Sequence, residues 1–240
     1  EIMKTLRGAK NSTVKLGVQR GNSPELLYFD VTRGDVPVNS VDVSYEAAKG
    51  IGYIKVSKFA RNTYNEFITA IAKLKQAGCT SFVIDLRGNT GGYMDAAINM
   101  INEFMPEGRL IVYTEGKSFP RSDVYANGTG TCKDAPIVVL TDEISASASE
   151  IFSGAIQDND RGTIIGRRTY GKGLVQTQMS LSDGSEMRLT IARYYTPSGR
   201  CIQKKYEMGN TDAYDQDIYN RYMHGEFDSA DSIKMDDSLK

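Results

Sequence analysis

Hydrophobic positions divide the chain into a short strand-rich start and a long region in which strands and helices alternate. Residues 2–6 predict a short helix, and residues 13–18 and 26–31 alternate as strands do. Residues 46–50 predict a brief turn before the next strand. The elements at the start are too few to fold as a domain on their own.

The pattern then changes to helical spacing. A strand is predicted at 51–56, and apolar residues follow at helical spacing from Phe59 to Ala77, with Gly78 where a helix C-cap is expected. The unbroken apolar run at 81–86 is typical of a strand buried on both faces. Further helices are predicted at 96–104 and 148–157, and further strands at 110–113, 137–140, 163–165, 175–181 and 187–194. This alternation predicts an α/β layered core with mixed strand order.

The last part of the chain has a different character. From Lys204 onward it is rich in Tyr, Asp, Asn and Met and shows little periodicity. We therefore expect a polar surface excursion from about residue 204, with its continuation cut away.

Composition restricts the function. The 240 residues suffice for one large domain and part of a second, and 29 basic against 30 acidic residues give a formal net charge of −1. The charges are interspersed, so no basic surface for nucleic acid or an anionic membrane is expected. No run approaches the roughly 20 apolar residues of a membrane span, and the first ten residues lack the apolar stretch of a signal peptide. We expect a soluble chain from which any targeting segment has been removed.

Histidine and cysteine are scarce. The single histidine, His224, cannot supply a multi-histidine metal site and is a poor candidate for the base of a Ser-His-Asp triad. Cys79, Cys132 and Cys201 are far apart and odd in number, which argues against a disulfide scaffold or a zinc site. Acid and base chemistry would therefore fall to Lys, Tyr, Asp or Glu.

One candidate nucleophile lies where a buried strand gives way to a helix. In the segment 141–157, TDEISASASEIFSGAIQ, a serine at the strand-to-helix turn would expose its hydroxyl beside free helix N–H groups. Ser147 and Glu150 also fit the S-x-x-E pattern of a capping box, so a purely structural interpretation stays open.

A candidate base lies in the segment 166–176, GRRTYGKGLVQ. Lys172 stands between two glycines and near the apolar residues Ile165, Leu174 and Val175, whose desolvating effect would lower the pKa of its amine. A solvated lysine in a glycine turn is the alternative interpretation. Serine and lysine together predict a Ser-Lys dyad, in which lysine deprotonates the serine and backbone amides stabilise the oxyanion.

Two binding motifs in the same region lack residues that their ligands require. Gly166, Gly171 and Lys172 match G-x-x-x-x-G-K of a phosphate-binding loop, but Gly173 replaces the required Ser or Thr, and a strand pattern follows where a helix is needed. Nucleotide binding therefore survives only formally. A calcium loop beginning at Asp158 would need a carboxylate at its twelfth position, which is Thr169.

Five segments together resemble the C-terminal processing peptidases, also called tail-specific proteases. They are GYIKVSKF (52–59), DLRGNTGG (85–92), SASASE (145–150), YGKGLVQ (170–176) and TPSGRCIQ (196–203), in the order that the family has them. The resemblance implies a mixed α/β sheet core flanked by helices, of the ClpP/crotonase-like type, and a serine endopeptidase that cleaves protein substrates near their C-termini.

The family's residue roles transfer by motif. The resemblance implies Ser147 as nucleophile, Lys172 as general base and Gln176 as the residue that orients the lysine. It implies an oxyanion hole made by the N–H of Ala148 and of either Gly91 or Gly92, and spacing does not choose between the two glycines. Ser145 and Ser149 are then small structural neighbours.

The resemblance also implies the setting of the protein. Residues 1–22 are similar to the end of a PDZ domain, which in the family captures a free substrate C-terminus, and residues 23–240 would be the peptidase core. We expect a protein or peptide substrate, no cofactor, metal or nucleic acid, and a location in the cell envelope. A catalytically silent peptide-binding scaffold of the same fold is the alternative.

Overall fold

The computed structural model describes residues 2–35, 38–206 and 211–229, and it forms two compact units, Glu1–Val38 and Asn39–Lys240. The first unit contains α1 (Ile2–Leu6) and a hairpin of β1 (Thr13–Val18) and β2 (Leu27–Thr32), which pair antiparallel. The boundary predicted between residues 22 and 23 falls between β1 and β2, and both of these strands belong to the first unit. The assignment of the hairpin to a PDZ domain stays a prediction.

The second unit contains the remaining elements. In chain order they are β3 (Val41–Ala48), β4 (Ile51–Val56), α2 (Thr63–Gln76), β5 (Ser81–Asp85), α3 (Met94–Asn102), β6 (Leu110–Gly116), β7 (Phe119–Tyr125), β8 (Ile137–Thr141), α4 (Ala148–Asp158), β9 (Thr163–Gly166), β10 (Leu174–Ser180), β11 (Glu186–Tyr195), α5 (Thr211–Asp215) and α6 (Asp217–Met223).

Two sheets organise this unit. A five-stranded sheet has the order β3-β4-β5-β8-β9, in which β4, β5, β8 and β9 run parallel and β3 is an antiparallel edge strand. An antiparallel four-stranded sheet has the order β10-β11-β6-β7. Helix α4 contacts both β9 and β6, and nine of its residues, from Ala148 to Ile156, are buried. The mixed α/β core predicted from the sequence is confirmed.

Helix α2 shows how the sequence produces these elements. Phe67, Ile71 and Leu74 recur at helical spacing and are buried against the sheet. The helix ends in a Schellman motif: Gly78 has φ 94°, and Cys79 N–H donates to the Leu74 carbonyl at 2.9 Å. The glycine predicted as a C-cap therefore supplies the left-handed conformation that stops the helix.

Sequence patterns missed elements at the periphery. Strand β7 was not predicted, and residues 46–48, predicted as a turn, extend β3. Both are edge strands with mostly exposed side chains, so neither shows an apolar signal. The segment after Lys204, predicted to lack periodicity, contains α5 and α6, which polar contacts hold in place. None of the helices in the described part of the chain combines the length and apolar character needed to cross a membrane.

A buried carboxylate, Asp85, pairs with the half-exposed Arg87 at the end of β5. The Asp85 carboxylate accepts hydrogen bonds from the Arg87 guanidinium at 2.7 Å and from the Tyr53 hydroxyl, and Lys55 lies 3.4 Å away. Burial alone would raise the pKa of Asp85, but the hydrogen bonds from Arg87 and Tyr53 outweigh it and bring the pKa to about 2. The network fixes the backbone where the chain leaves the sheet.

Asp85 predicts a specific acid sensitivity. Its folded pKa lies below the unfolded value, so its contribution to stability is present above the unfolded pKa and disappears as pH falls towards 2. We expect about 2 kcal/mol of unfolding free energy to be lost through this group between about pH 5 and pH 2. Urea unfolding across this range should show that Asp85→Asn lowers stability at neutral pH and lacks this part of the acid loss.

The matched control is Asp123→Asn. Asp123 pairs with Arg121 on the surface, where an ion pair contributes little. A difference between Asp85→Asn and wild type that stays constant from pH 6 to pH 2 would contradict the assignment.

Candidate active site

Three loops meet at one end of the five-stranded sheet. They follow β5, β8 and β9, which are adjacent and parallel, so all three leave the sheet at the carboxyl ends of their strands. This is the edge where open α/β sheets bind ligands. We call them the glycine loop (86–93), the serine loop (142–147) and the lysine loop (167–173).

Ser147 ends the serine loop in an unusual backbone conformation. Its φ of 56° and ψ of −114° match the first central residue of a type II′ turn, which the Ser149 N–H closes by donating to the Ala146 carbonyl at 3.1 Å. Glycine normally occupies this position, and strain of this kind in other residues clusters at functional sites. Ser147 is half-buried, whereas Ser145 and Ser149 are completely buried.

The capping box predicted from Ser147 and Glu150 is present. The Ser147 N–H donates to the Glu150 carboxylate at 2.8 Å, at the start of α4. Ser147 can therefore be both the N-cap of α4 and the candidate nucleophile, because the hydrogen bond to Glu150 holds its backbone in the turn.

Glu150 also binds the lysine loop. Its side chain is buried with the residue only 5% exposed, and it accepts four hydrogen bonds. The donors are Ser147 N–H at 2.8 Å and Lys172 N–H at 2.8 Å on one oxygen, and Gly171 N–H at 2.6 Å and the Thr169 hydroxyl at 2.7 Å on the other. Because both nitrogens bind the same oxygen, Ser147 N and Lys172 N lie no more than 5.6 Å apart. Burial raises the pKa of Glu150, and these hydrogen bonds oppose the rise.

The two glycines around Lys172 allow close backbone packing. A Cβ on Gly171, which has φ 86°, would lie 2.7 Å from the Lys204 Cβ, and a Cβ on Gly173 would lie 2.4 Å from the Gln203 nitrogen. The Gly173 N–H donates to the Gln203 side chain at 3.0 Å. The backbone of Lys172 is thus held on both sides.

The side chain of Lys172 is exposed, which differs from the apolar enclosure predicted for it. Ile165, one of the residues expected to shield it, is itself 53% exposed. The reason is the position of Lys172, two residues before β10, which is an edge strand of the four-stranded sheet.

Gln176 lies in β10 next to a bulge between Val175 and Gln176. Its side chain is exposed, and its amide nitrogen donates to the Thr190 hydroxyl at 3.4 Å. A contact between Gln176 and Lys172 stays a prediction.

The glycine loop packs directly against Ser147. A Cβ on Gly91, which has φ 98°, would lie 2.7 Å from the Ser147 Cβ and 3.0 Å from the Ala148 nitrogen. The Gly91 N–H is already occupied, because it donates to the Asn89 side chain at 2.8 Å. Within the described ranges, neither Gly92 N–H nor Ala148 N–H has a hydrogen-bond partner.

Asn89 links the glycine loop to the start of α4, and sequence reasoning missed it. It is completely buried, and its carbonyl accepts hydrogen bonds from Ala146 N–H at 3.0 Å and the Ser149 hydroxyl at 2.9 Å. The Ser145 hydroxyl similarly donates to the Leu86 carbonyl at 2.8 Å. The flanking serines therefore join the serine loop to the glycine loop. The sequence signal that could have identified Asn89 was its place as a polar residue inside the DLRGNTGG motif.

Comparison with known proteins agrees with this geometry. The model of peptidase family S41 matches residues 50–212, which include all three loops. The chain belongs to peptidase family S41. The resemblance to the C-terminal processing peptidases seen in the sequence is confirmed.

Individual S41 relatives support the same placement. The carboxyl-terminal-processing protease of Synechocystis sp. is 36% identical over 207 residues, which are 85% of this chain and 48% of that protein. A probable CtpA-like serine protease of Staphylococcus haemolyticus is 36% identical over 206 residues, covering 85% of this chain and 41% of that protein. This S41 chain thus spans about half the length of the curated relatives it matches.

Solved structures show the same fold. The photosystem II D1 C-terminal processing protease aligns with a TM-score of 0.64 and 33% identity, covering 82% of this chain and 54% of that chain. A putative S41 protease from Bacteroides fragilis aligns with a TM-score of 0.58 over 89% of this chain and 65% of that chain, and at 17% identity it supports the fold alone.

The bridging role of Glu150 predicts a large effect of Glu150→Gln. The amide nitrogen of glutamine cannot accept a hydrogen bond, so at least one buried N–H of the serine or lysine loop loses its acceptor. We expect a loss on the order of 3 kcal/mol in unfolding free energy, measured by urea denaturation.

Glu143→Gln is the matched control. Glu143 lies in the same serine loop, and its side chain pairs at 3.3 Å with the exposed Arg167 of the lysine loop, where an ion pair contributes little. Equal stability of the two variants would show that Glu150 does not hold the loops together.

Proposed function

We propose that this chain forms the catalytic core of a serine endopeptidase that cleaves protein substrates near their C-termini through a Ser147–Lys172 dyad. The observation that carries the proposal is the single Glu150 oxygen that binds the backbone N–H of both residues. Membership of family S41 and the names of its curated relatives support the same activity.

The proposed reaction has two halves. The Lys172 amine, in its neutral form, takes the Ser147 hydroxyl proton while the serine oxygen attacks the substrate carbonyl carbon. The C–N bond then breaks, the leaving amine takes the proton from the Lys172 ammonium, and an ester on Ser147 remains. Water attacks this ester with its proton passing to Lys172, and Ser147 recovers a proton as the carboxylic acid product leaves.

The oxyanion formed in each half would bind the N–H groups of Ala148 and Gly92. Both are without a partner in the described structure, and Ala148 is the first residue of a buried helix. Gly91 is the poorer candidate, because Asn89 already accepts its N–H. In this proposal Gly91 serves instead to let the glycine loop approach Ser147.

Gln176 would orient Lys172 through its side-chain oxygen. Its amide nitrogen already donates to Thr190, which leaves the oxygen to accept from the lysine ammonium or amine. The proposal also includes a substrate with a free C-terminus, a PDZ domain that contains residues 1–22, a location in the cell envelope, and no metal or cofactor.

A catalytically silent peptide-binding scaffold is the second candidate function. The exposed side chain of Lys172 favours it, because a solvated amine is a weak partner for serine. A fluorophosphonate probe separates the two, since only an activated serine is labelled. Labelling of wild type but not of Ser147→Ala supports the endopeptidase.

The Ser147→Ala variant tests the nucleophile. We predict that it folds, because alanine has the same Cβ as serine in this turn and loss of the N-cap hydroxyl costs only about 1 kcal/mol. We also predict that it loses all peptide hydrolysis by the full-length protein. Ser145→Ala and Ser149→Ala should keep measurable turnover, with a stability loss of about 1 kcal/mol each from the lost hydrogen bonds. Complete loss of turnover in all three folded variants would remove the special role of Ser147.

The Lys172→Arg variant tests the base. A guanidinium keeps the positive charge but stays protonated at accessible pH, so it cannot take the serine proton. We predict that both Lys172→Arg and Lys172→Ala lower kcat on the order of a hundredfold or more, measured on a peptide substrate of the full-length protein. Near-normal turnover of Lys172→Arg would show that the site uses the charge and not proton abstraction.

A further inference from the structure

The lysine loop has a further set of contacts besides those with Glu150 and Gln203. They come from the segment 217–227, which comprises α6 and the turn after it. Neither Ser147 nor Lys172 takes part in these contacts, so they require their own explanation.

Arg221 makes the central contact of this segment. Its side chain is only 4% exposed, although it lies on a short helix near the surface. The guanidinium donates to the carbonyl of Arg168 and, at 3.2 Å, to the carbonyl of Thr169. These are consecutive backbone positions, three and four residues before Lys172.

Glu226 completes the arrangement. It accepts a hydrogen bond from Arg221 at 2.8 Å and two from the Arg168 guanidinium at 3.0 and 2.8 Å. The Glu226 side chain is 7% exposed, so the charge of Arg221 is neutralised where water is largely excluded. Releasing Glu226 would leave a buried charge unpaired, and releasing the two carbonyls would leave buried guanidinium N–H groups without acceptors, so Arg221 fixes both sides of the contact.

The same segment contacts the first residue of the loop. The Arg167 guanidinium lies over the Phe227 ring at 5.3 Å. Residues 167, 168 and 169 of the lysine loop therefore all contact the segment 217–227. The first three residues of the lysine loop are therefore tied to the segment 217–227.

We propose that Arg221 is a positioning residue that sets the backbone of the lysine loop and thereby the reach of Lys172 towards Ser147. The proposal rests on the proposed function. The family model ends at residue 212, so Arg221 and Glu226 lie outside the part of the chain that it describes. In this proposal the segment 217–227 contributes to the site although it lies beyond the residues that the family model matches.

The experiment compares two arginines of similar chemistry in the full-length protein. Arg161 also donates to backbone carbonyls, those of Phe104 at 2.7 Å and Cys132 at 2.9 Å, but it contacts none of the three active-site loops. Both Arg221→Ala and Arg161→Ala should lower the melting temperature. The kinetic constants are measured at a temperature where circular dichroism shows each variant to be folded.

Arg221→Ala should lower kcat on the order of 10- to 100-fold with KM changed less than about twofold, because the general base is displaced while substrate contacts remain. Guanidinium ion, below the concentration that unfolds the protein, should restore part of this kcat and should not raise that of Lys172→Ala. Arg161→Ala should keep a normal kcat. A folded Arg221→Ala with the kcat of Arg161→Ala overturns the proposal.

Arg221→Lys decides the question if Arg221→Ala does not fold. An ammonium keeps the charge but cannot match the fork that spans two carbonyls and Glu226, so kcat should fall several-fold. A wild-type kcat in Arg221→Lys overturns the proposal. Ser147→Ala and Lys172→Ala, assayed beside these variants, report on the dyad itself: turnover in Ser147→Ala, or near-normal turnover in Lys172→Ala, would end the proposed function whatever the Arg221 variants do.

Discussion

The buried carboxylate of Glu150 is the interaction on which the site depends. Taking a carboxylate out of water is unfavourable, and four donors from the serine and lysine loops offset part of that penalty. The two loops cannot separate without leaving this charge unpaired in the interior. A helix cap, which is ordinarily a local device, here joins segments more than 20 residues apart in the chain.

Sheet order makes this contact possible. The three loops follow adjacent parallel strands, so short connections are enough to bring them together. The absence of a side chain at Gly91 lets the glycine loop pack against the Ser147 Cβ, and the Asn89 carbonyl accepts hydrogen bonds from the Ala146 N–H and the Ser149 hydroxyl. The strained turn at Ser147 persists because its surroundings leave it no other conformation.

The lysine loop receives a different kind of support. Its backbone contacts Glu150 and the segment Gln203–Lys204, and the polar segment 217–227 packs against its first residues. That segment has few apolar side chains to bury, and it is held by ion pairs and by hydrogen bonds to carbonyl groups. This explains why a stretch without hydrophobic periodicity is nevertheless ordered around Arg221.

The sequence by itself determined the elements of the core, the glycine cap of α2, the family, and the candidate serine and lysine, because these depend on local spacing and on short motifs. It missed β7, the end of β3 and the C-terminal helices, which bury too little apolar surface to leave a pattern. Only the tertiary structure decided that Glu150 joins Ser147 to Lys172, that Gly91 N–H is occupied while Gly92 N–H is free, and that the Lys172 side chain is exposed. Each of these depends on which backbone groups meet across the fold, and hydrogen bonds between distant residues have no spacing that a sequence can show.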